Sequence, residues 1–456
     1  MRRESSAMRL DPTGDCTERG VANPITVIPF ARKDSSHVQR KPHMIFVATR
    51  VPYPPVTGHY LRTLNILRGL AEHFSVHFFG FRDKNASPAD HQLADEALAS
   101  LCATIHIEPV GAERSMARLM IDLLASLLTF RPFTAAKYRS RTMHRAIRAA
   151  FATNDIAVAH ADSLQSGQYL TGLTCPRLLT NHNVEYQRLF RYAAQRRSLL
   201  YRLALRVQAW LTKRYERQIL RAIGNCVVVS ELDRAELSRL APATRFFLVP
   251  NGADTAPPPL PRAAPGGVTA LWVGGMDDPF NREAVLHFAN RILPHIRAQV
   301  PGFQWHVVGR APPPLLEALA LDPDSGVVLS GFVAALRDAY ERATIVVVPL
   351  LSGGGTKLKV LEAMAMGRAV VATPVGAEGI DAQDGIEMEI ATTAEEFAQR
   401  VAAALLDPQR RNRLAAAARA LVEREYSWET INQRMHAAVQ SVMHSCPDGR
   451  LTPCAE

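Results

Sequence analysis

The chain has 456 residues, of which 47% are hydrophobic, 21% charged and 7% aromatic. That length suits two or three packed domains, and the composition excludes a wholly disordered, collagen-like or disulfide-scaffold protein. Lys and Arg outnumber Asp and Glu by 53 to 43, so the formal charge of +10 asks for an anionic partner.

Residues 1–42 are polar and without a sustained period, as in a disordered tail. Order begins at the apolar run His43–Thr49, read as a buried strand. Pro52-Tyr-Pro-Pro55 leads through Gly58 into a helix with Leu61, Leu64, Leu67 and Leu70 on one stripe, and Ser75–Phe81 is the next strand. Strand, glycine turn, helix and strand make a βαβ unit, which predicts a parallel sheet. Strand-like runs recur at Ile156–His160, Arg177–Thr180 and Cys226–Ser230, and Phe246–Gly252 is a strand ending in a turn, so residues 43–249 read as one domain.

The Pro- and Gly-rich stretch 250–268 reads as a linker. A second alternating series follows over 269–425, with strands at Thr269–Gly274, Gln304–Gly309, Val327–Ser330, Thr344–Pro349 and Ala369–Thr373 and a helical tail over Ala394–Arg424. A last amphipathic helix, 426–443, is expected to pack back on the N-terminal domain, and 444–456 is a tail. The expected fold is α/β, with two tandem Rossmann-like doubly wound parallel-sheet domains. Ligands of such sheets sit at the carboxyl ends of the strands, here in a cleft between the domains.

The surplus charge is local. Segments 114–148 and 188–221 together carry +16, with Asp122 and Glu216 as their only acids, and the remaining chain is net −6. Leu199, Leu203, Val207, Trp210, Leu211 and Tyr215 form an apolar stripe flanked by arginines. Such a helix either lies on an anionic membrane or packs on a core with a solvated basic face. The apolar run Leu119–Phe130 is too short to span a bilayer and contains Asp122. No apolar signal core follows the early arginines, and the six cysteines lack zinc-ligand spacing, so a cytoplasmic chain with reduced thiols is expected. No helix-turn-helix, zinc-finger or RNP-type motif supports nucleic acid as the partner.

The segment Pro349–Gly367 carries the most chemistry. A strand ends at Pro349, Gly353, Gly354 and Gly355 follow, and a helix begins near Thr356. Glycines let the backbone approach a ligand, and free amides at a helix start favour phosphate. Lys359 and Glu362, three residues apart, offer a cation for phosphate and a carboxylate for sugar hydroxyls.

Gly353-Gly-Gly-Thr-Lys-Leu-Lys-Val-Leu-Glu-Ala-Met-Ala-Met-Gly367 with Gly376-Ala-Glu-Gly379 resembles the donor-binding core of GT-B glycosyltransferases of the large retaining family 4. The likeness extends to Leu271-Trp-Val-Gly-Gly275, Ser330-Gly-Phe-Val333, Val249-Pro-Asn-Gly-Ala-Asp254, Pro52–Gly58 with Arg62, and Thr180-Asn-His-Asn-Val-Glu185. It covers roughly residues 43–440. It implies transfer of a sugar from a UDP- or GDP-sugar to a saccharide acceptor, often lipid-linked, with retention and no required metal or other cofactor.

The resemblance also implies roles. Glu362 would bind the ribose, with Gly353, Gly354, Gly355, Thr356, Lys357 and Lys359 near the phosphates or donor sugar. Phe332, within Gly331–Val333, would line the base pocket, and Gly58 would approach the diphosphate from across the cleft. His160 would stand beside the donor sugar as the catalytic candidate. Arg62, His182 and Glu185 are expected on the acceptor side, a helix-capping role for Glu185 being the alternative. Two departures stand out. The position of a frequent sugar-touching glutamate is Gly354, and the usual Arg and Lys after the strand-end glycine are missing from Gly274–Arg282, where Asn281 or Arg282 would substitute and Lys357 or Lys359 would supply the charge, with Gly275 also expected at the donor. A GT-B sugar-nucleotide epimerase and a non-catalytic nucleotide-sugar scaffold are the competing functions.

Overall fold

The computed structural model describes residues 41–55, 57–82, 87–110, 126, 128–194, 196, 198–261, 267–333 and 336–445. The N-terminal tail up to residue 40, most of the apolar run at 119–130 with Asp122, residues 262–266 of the linker and the tail from 446 lie outside the described residues.

The first sheet contains β1 (His43–Val47), β2 (Ser75–Arg82), β3 (Thr104–Pro109), β4 (Ile156–Ala161), β5 (Arg177–Asn181), β6 (Asn225–Val228) and β7 (Arg245–Leu248). All pairs are parallel, in the order β3-β2-β1-β4-β5-β6-β7. The second contains β8 (Thr269–Val273), β9 (Gln304–Val308), β10 (Val327–Ser330), β11 (Ile345–Val348), β12 (Ala369–Ala372) and β13 (Glu389–Ile390), also parallel, in the order β10-β9-β8-β11-β12-β13. Two doubly wound sheets are thus present, as the alternating pattern predicts. Strand order reverses between β1 and β4 and again between β8 and β11, and loops part at these two points to leave room for ligand.

Alternation along the buried strands builds the cores. Ile45 and Val47 face one side of the first sheet, with Tyr169, Leu179, Tyr215 and Ile219. Met44 and Phe46 face the other, with Leu67, Leu70 and Phe78. That second layer also contains Ile431, Met435, Val439 and Val442 from the helix Trp428–His444, capped by the Ser427 hydroxyl. The second sheet closes over Trp272, Phe288, Trp305 and Phe397. The chain therefore crosses between sheets twice, near Ala253 and near Ser427, and the crossings touch: Ala253 N–H donates to Tyr426 O at 2.8 Å.

Three elements differ from the sequence expectation, one of them the additional two-residue edge strand β13. The helical tail Ala394–Arg424 is broken at Asp407, whose carboxylate accepts from the amides of Gln409 and Arg410 and starts a new helix at Pro408. An additional edge strand, β3, pairs only with β2, and its residues are partly exposed throughout. Among the described residues, no helix is long and apolar enough to cross a membrane.

The 25-residue helix Leu199–Ile223 positions the loop after β5. Its Glu216 is completely buried and accepts from Asn181 Nδ2 at 2.6 Å and from the amides of Glu185 and Tyr186 at 3.4 Å. It thereby holds the segment Asn181–Glu185 and the start of the helix Glu185–Ala194. Desolvation, reinforced by the charge of Glu185, pushes its pKa up to about 8. The native state then keeps a proton that the unfolded chain releases, so between about pH 4.5 and 8 stability falls as pH rises. Glu216→Gln should remove that slope. Denaturant unfolding of both proteins at pH 5 and pH 8 is expected to show wild type losing roughly 3 kcal/mol more than the variant.

Candidate functional site

The glycine loop between β11 and the helix Leu358–Ala365 faces the loops of the first sheet. Gly353 and Gly355 have φ of 148° and 66°, in the left-handed half of conformational space that favours glycine. A Cβ on Gly355 would come within 3.0 Å of both Asn183 Oδ1 and His182 O, so the two walls meet closely here. The first loop closes the same gap: a Cβ on Gly58 would lie 2.6 Å from Leu358 Cδ1.

Lys359 and Glu362 stand at the head of that helix. Lys359 Nζ donates to Asn281 Oδ1 at 2.9 Å and lies 3.8 Å from the centre of the Trp272 ring. Asn281 is itself fixed by donating to Gly275 O at 2.8 Å. Desolvation lowers the Lys359 pKa to about 7, with Lys357 adding to the shift and Asp278 and Glu362 opposing it. Desolvation raises that of Glu362 to about 7, against the pull of Lys359 and the Tyr340 hydroxyl. A cation and a carboxylate are thus both close to their switching points. Arg282, the next residue after Asn281, is exposed and among the described residues bonds none of these groups. Phe332, 68% exposed after β10, leaves its ring face open.

Thr356, Lys357 and Arg62 are turned inward. Lys357 Nζ folds back on Gly354 O and Gly355 O at 3.0 and 2.7 Å, and lies 3.7 Å from Glu378. The Thr356 hydroxyl donates to Val229 O at 2.9 Å, while its carbonyl accepts from Asn251 Nδ2, also at 2.9 Å. Arg62 is 2% exposed and donates to Val249 O at 2.7 Å, to Pro250 O and to Asn251 Oδ1 at 3.0 Å. Thr356 joins the two sheets, Arg62 braces the chain where it leaves the first, and Lys357 is turned back on its own loop.

His160 lies inside the first sheet, fully buried, with Nε2 2.8 Å from Thr180 Oγ1 and its ring edge-on to Phe46. Burial lowers its pKa to about 4, so it is neutral. His160 faces the same layer as Phe46, and Asp162, two residues on, follows the end of the strand. Asp162 accepts from Thr63 Oγ1 at 2.5 Å, and its backbone carbonyl lies 2.7 Å from His182 Nε2. Its Oδ1 is buried with no hydrogen-bond partner, 3.5 Å from His182 Nε2. Burial works to raise the Asp162 pKa, but the neighbouring His182, His59 and His160 outweigh it and hold the carboxyl well below its usual range. His59 packs edge-on to His182 at 4.5 Å, and burial lowers its pKa to about 3. The ligand atoms of His59, Asp162 and His182 lie within 4.8 Å of one another, a geometry able to hold a cation.

His59 and Asp162 were not evident from sequence, although each flanks a singled-out residue. Arg310, after β9, is another addition: it grips Asp277 with two bonds of 3.0 and 2.9 Å beside Gly275. Glu185 begins its helix and influences the cleft through Glu216. The states of Lys359 and Glu362 give a direct test. A diphosphate bound at Lys359 draws a proton onto it, so affinity for such an anion should fall as pH rises above about 7, by up to about tenfold per pH unit. Calorimetric titration from pH 6 to 9 should show this slope in wild type and a shallower one in Lys359→Met, where Glu362 still titrates.

Two family models match the chain: Glycosyltransferase Family 4 over residues 56–257 and Glycosyl transferases group 1 over residues 267–407. Sucrose-phosphate synthase of Thermosynechococcus elongatus has a similar structure, with 20% identity and a TM-score of 0.65 over 88% of this chain and 100% of that one. HepE of Anabaena, solved with UDP and glucose, matches with 14% identity and a TM-score of 0.60 over 88% and 100% of the two chains. These likenesses are likenesses of fold. An uncharacterized 44.6 kDa protein in the cps region of Klebsiella pneumoniae is 28% identical over 137 residues, spanning 29% of this chain and 35% of that relative. One glycosyltransferase model falls on each sheet, and the sheets enclose a glycine-lined cleft; the chain belongs to the GT-B glycosyltransferases, with a family 4 N-terminal half and a group 1 C-terminal half.

Proposed function

We propose that the protein transfers a hexosyl group from a UDP- or GDP-sugar to a lipid-linked saccharide acceptor, with retention at the anomeric carbon. The observation that carries this reading is the desolvated Lys359–Glu362 pair beside the open glycine loop. Glu362 suits the ribose hydroxyls and Lys359 the diphosphate, with Phe332 offering a ring to the base. In the proposed step, the bond from the anomeric carbon to the diphosphate oxygen breaks and the acceptor oxygen bonds to the same face. The acceptor proton passes to a phosphate oxygen, so no strong protein base is needed. Fixed amides and Lys359 stabilise the departing charge. The cps-region relative and the UDP and glucose bound to HepE support a nucleotide-sugar enzyme of envelope or exopolysaccharide synthesis.

The test is to screen UDP- and GDP-sugars for thermal stabilisation and then to measure nucleoside diphosphate release with and without membrane lipid extract. Release that depends on acceptor supports transfer; donor binding that never leads to turnover favours a scaffold, and sugar inversion without acceptor favours an epimerase. Glu362→Ala should weaken UDP binding by about tenfold, the loss of a charge-assisted hydrogen bond. We also propose catalysis without a metal: activity should persist in excess EDTA, and its loss with recovery on adding a divalent ion would implicate His59, Asp162 and His182.

We further propose a peripheral position on the inner face of the cytoplasmic membrane. The stripe on the helix Leu199–Ile223 divides in two. Leu211 and Tyr215 are buried, whereas Leu199, Leu200 and Leu203 are exposed by 69%, 83% and 61% beside Arg202 and Arg206. Exposed leucines among arginines suit an anionic lipid surface. The protein should sediment with phosphatidylglycerol vesicles, and less so at about 0.5 M salt, where screening is short-ranged. Leu199→Glu with Leu203→Glu should abolish sedimentation; unchanged sedimentation would remove this face from the membrane.

A further inference from the structure

An open pocket of about 400 Å³ lies between the helix Glu185–Ala194, the helix Glu231–Leu240 and the glycine loop. Arg188, Arg191 and Arg239 are on its wall with Asn183, and Gly354 faces them from the second sheet. Asp233, Glu236 and Glu378 also line it, but each is engaged. Asp233 accepts from Ser230 Oγ at 2.6 Å, Glu236 accepts from the Tyr186 hydroxyl, and Glu378 is 3.7 Å from Lys357 Nζ. The arginines are held less firmly. Arg239 lies 3.5 Å from Glu236 and Arg188 3.8 Å from Asp278, both exposed pairs of small energetic weight. Among the described residues Arg191 has no ion pair, and its charge reaches Lys357 and Asp233.

Gly354 sharpens the picture. Unlike Gly353 and Gly355, it does not have a positive φ. A Cβ there would meet Asn183 Oδ1 at 3.5 Å and Arg191 Nη1 at 3.8 Å, ordinary contacts. The backbone therefore does not demand glycine at 354. What the missing side chain leaves is open space in front of a guanidinium.

We propose that this pocket is the acceptor subsite for an anionic group on the saccharide, a phosphate or a carboxylate, held by Arg191 with help from Arg188 and Asn183. A planar guanidinium can meet either oxyanion with two parallel bonds. The pocket is walled mainly by the first sheet's helices, whereas Lys359 and Glu362 belong to the second, which separates this anion from the donor diphosphate. The assignment to an acceptor rests on the glycosyltransferase reading.

The test uses the full chain with UDP at saturation, so that the probes are kept out of the donor site. Glucose 1-phosphate, glucuronate and glucose are titrated in turn. At least one of the two anions should bind about tenfold or more tightly than glucose, and which one does so distinguishes phosphate from carboxylate. Arg191→Ala should weaken that binding by about fivefold or more while UDP affinity is kept, which reports intact folding. Gly354→Glu, which sets a carboxylate before Arg191, should also weaken binding of that anion. Anions that bind no better than glucose, or binding unchanged in Arg191→Ala, overturn the proposal. If UDP itself fails to bind, the donor reading fails, and the same anion comparison without UDP decides the pocket separately.

Discussion

The arrangement of the cleft depends on one buried guanidinium. Arg62 projects from the helix behind the first loop and donates to the carbonyls of Val249 and Pro250 and to the side chain of Asn251, where the chain leaves the first sheet. Asn251 in turn donates to Thr356 O, and the Thr356 hydroxyl reaches Val229 O at the end of β6. Four backbone carbonyls and the side chains of Asn251 and Thr356 are thereby satisfied in a site largely shut off from water, where an unpaired group would be costly. The network links the first loop, the interdomain crossing and the glycine loop, so it fixes the separation of the two walls that a ligand must bridge.

Around that fixed gap the two walls differ in chemistry. The second sheet supplies Lys359 and Glu362, both desolvated to near-neutral switching points, so a modest change in surroundings sets their charge. The first sheet supplies His59, Asp162 and His182, a permanently ionised carboxylate beside neutral His59. Beyond them is the arginine pocket. Glu216 keeps this wall in shape from below by holding Asn181 and the amides of the next helix.

Much of the fold was legible because parallel strands buried on both faces appear as short apolar runs separated by glycine turns and helical periods. β3 escaped notice because Thr104-Ile-His-Ile107 is an edge strand, partly exposed and mixed in composition. The glycine loop and the Lys359–Glu362 pair were visible from spacing alone, since residues three apart share a helix face. Arg62 and Thr356 were legible as notable residues but not as partners, because they are separated by nearly 300 positions and meet only through Asn251. His160 and Asp162 show the same limit on a smaller scale: two residues apart and both buried, they are told apart by tertiary partners, Thr180 and Phe46 for the first and Thr63 and His182 for the second.

The helix Trp428–His444 has a consequence for how the chain is made. Ile431, Met435, Val439 and Val442 belong to the layer formed by Met44, Phe46 and Leu67, so the first domain to emerge during synthesis lacks part of its own interior. Until the last helix arrives, part of one face of the first sheet is uncovered, and the second domain can complete its core beforehand. The domain that begins first is finished last, and its apolar face needs protection throughout the interval.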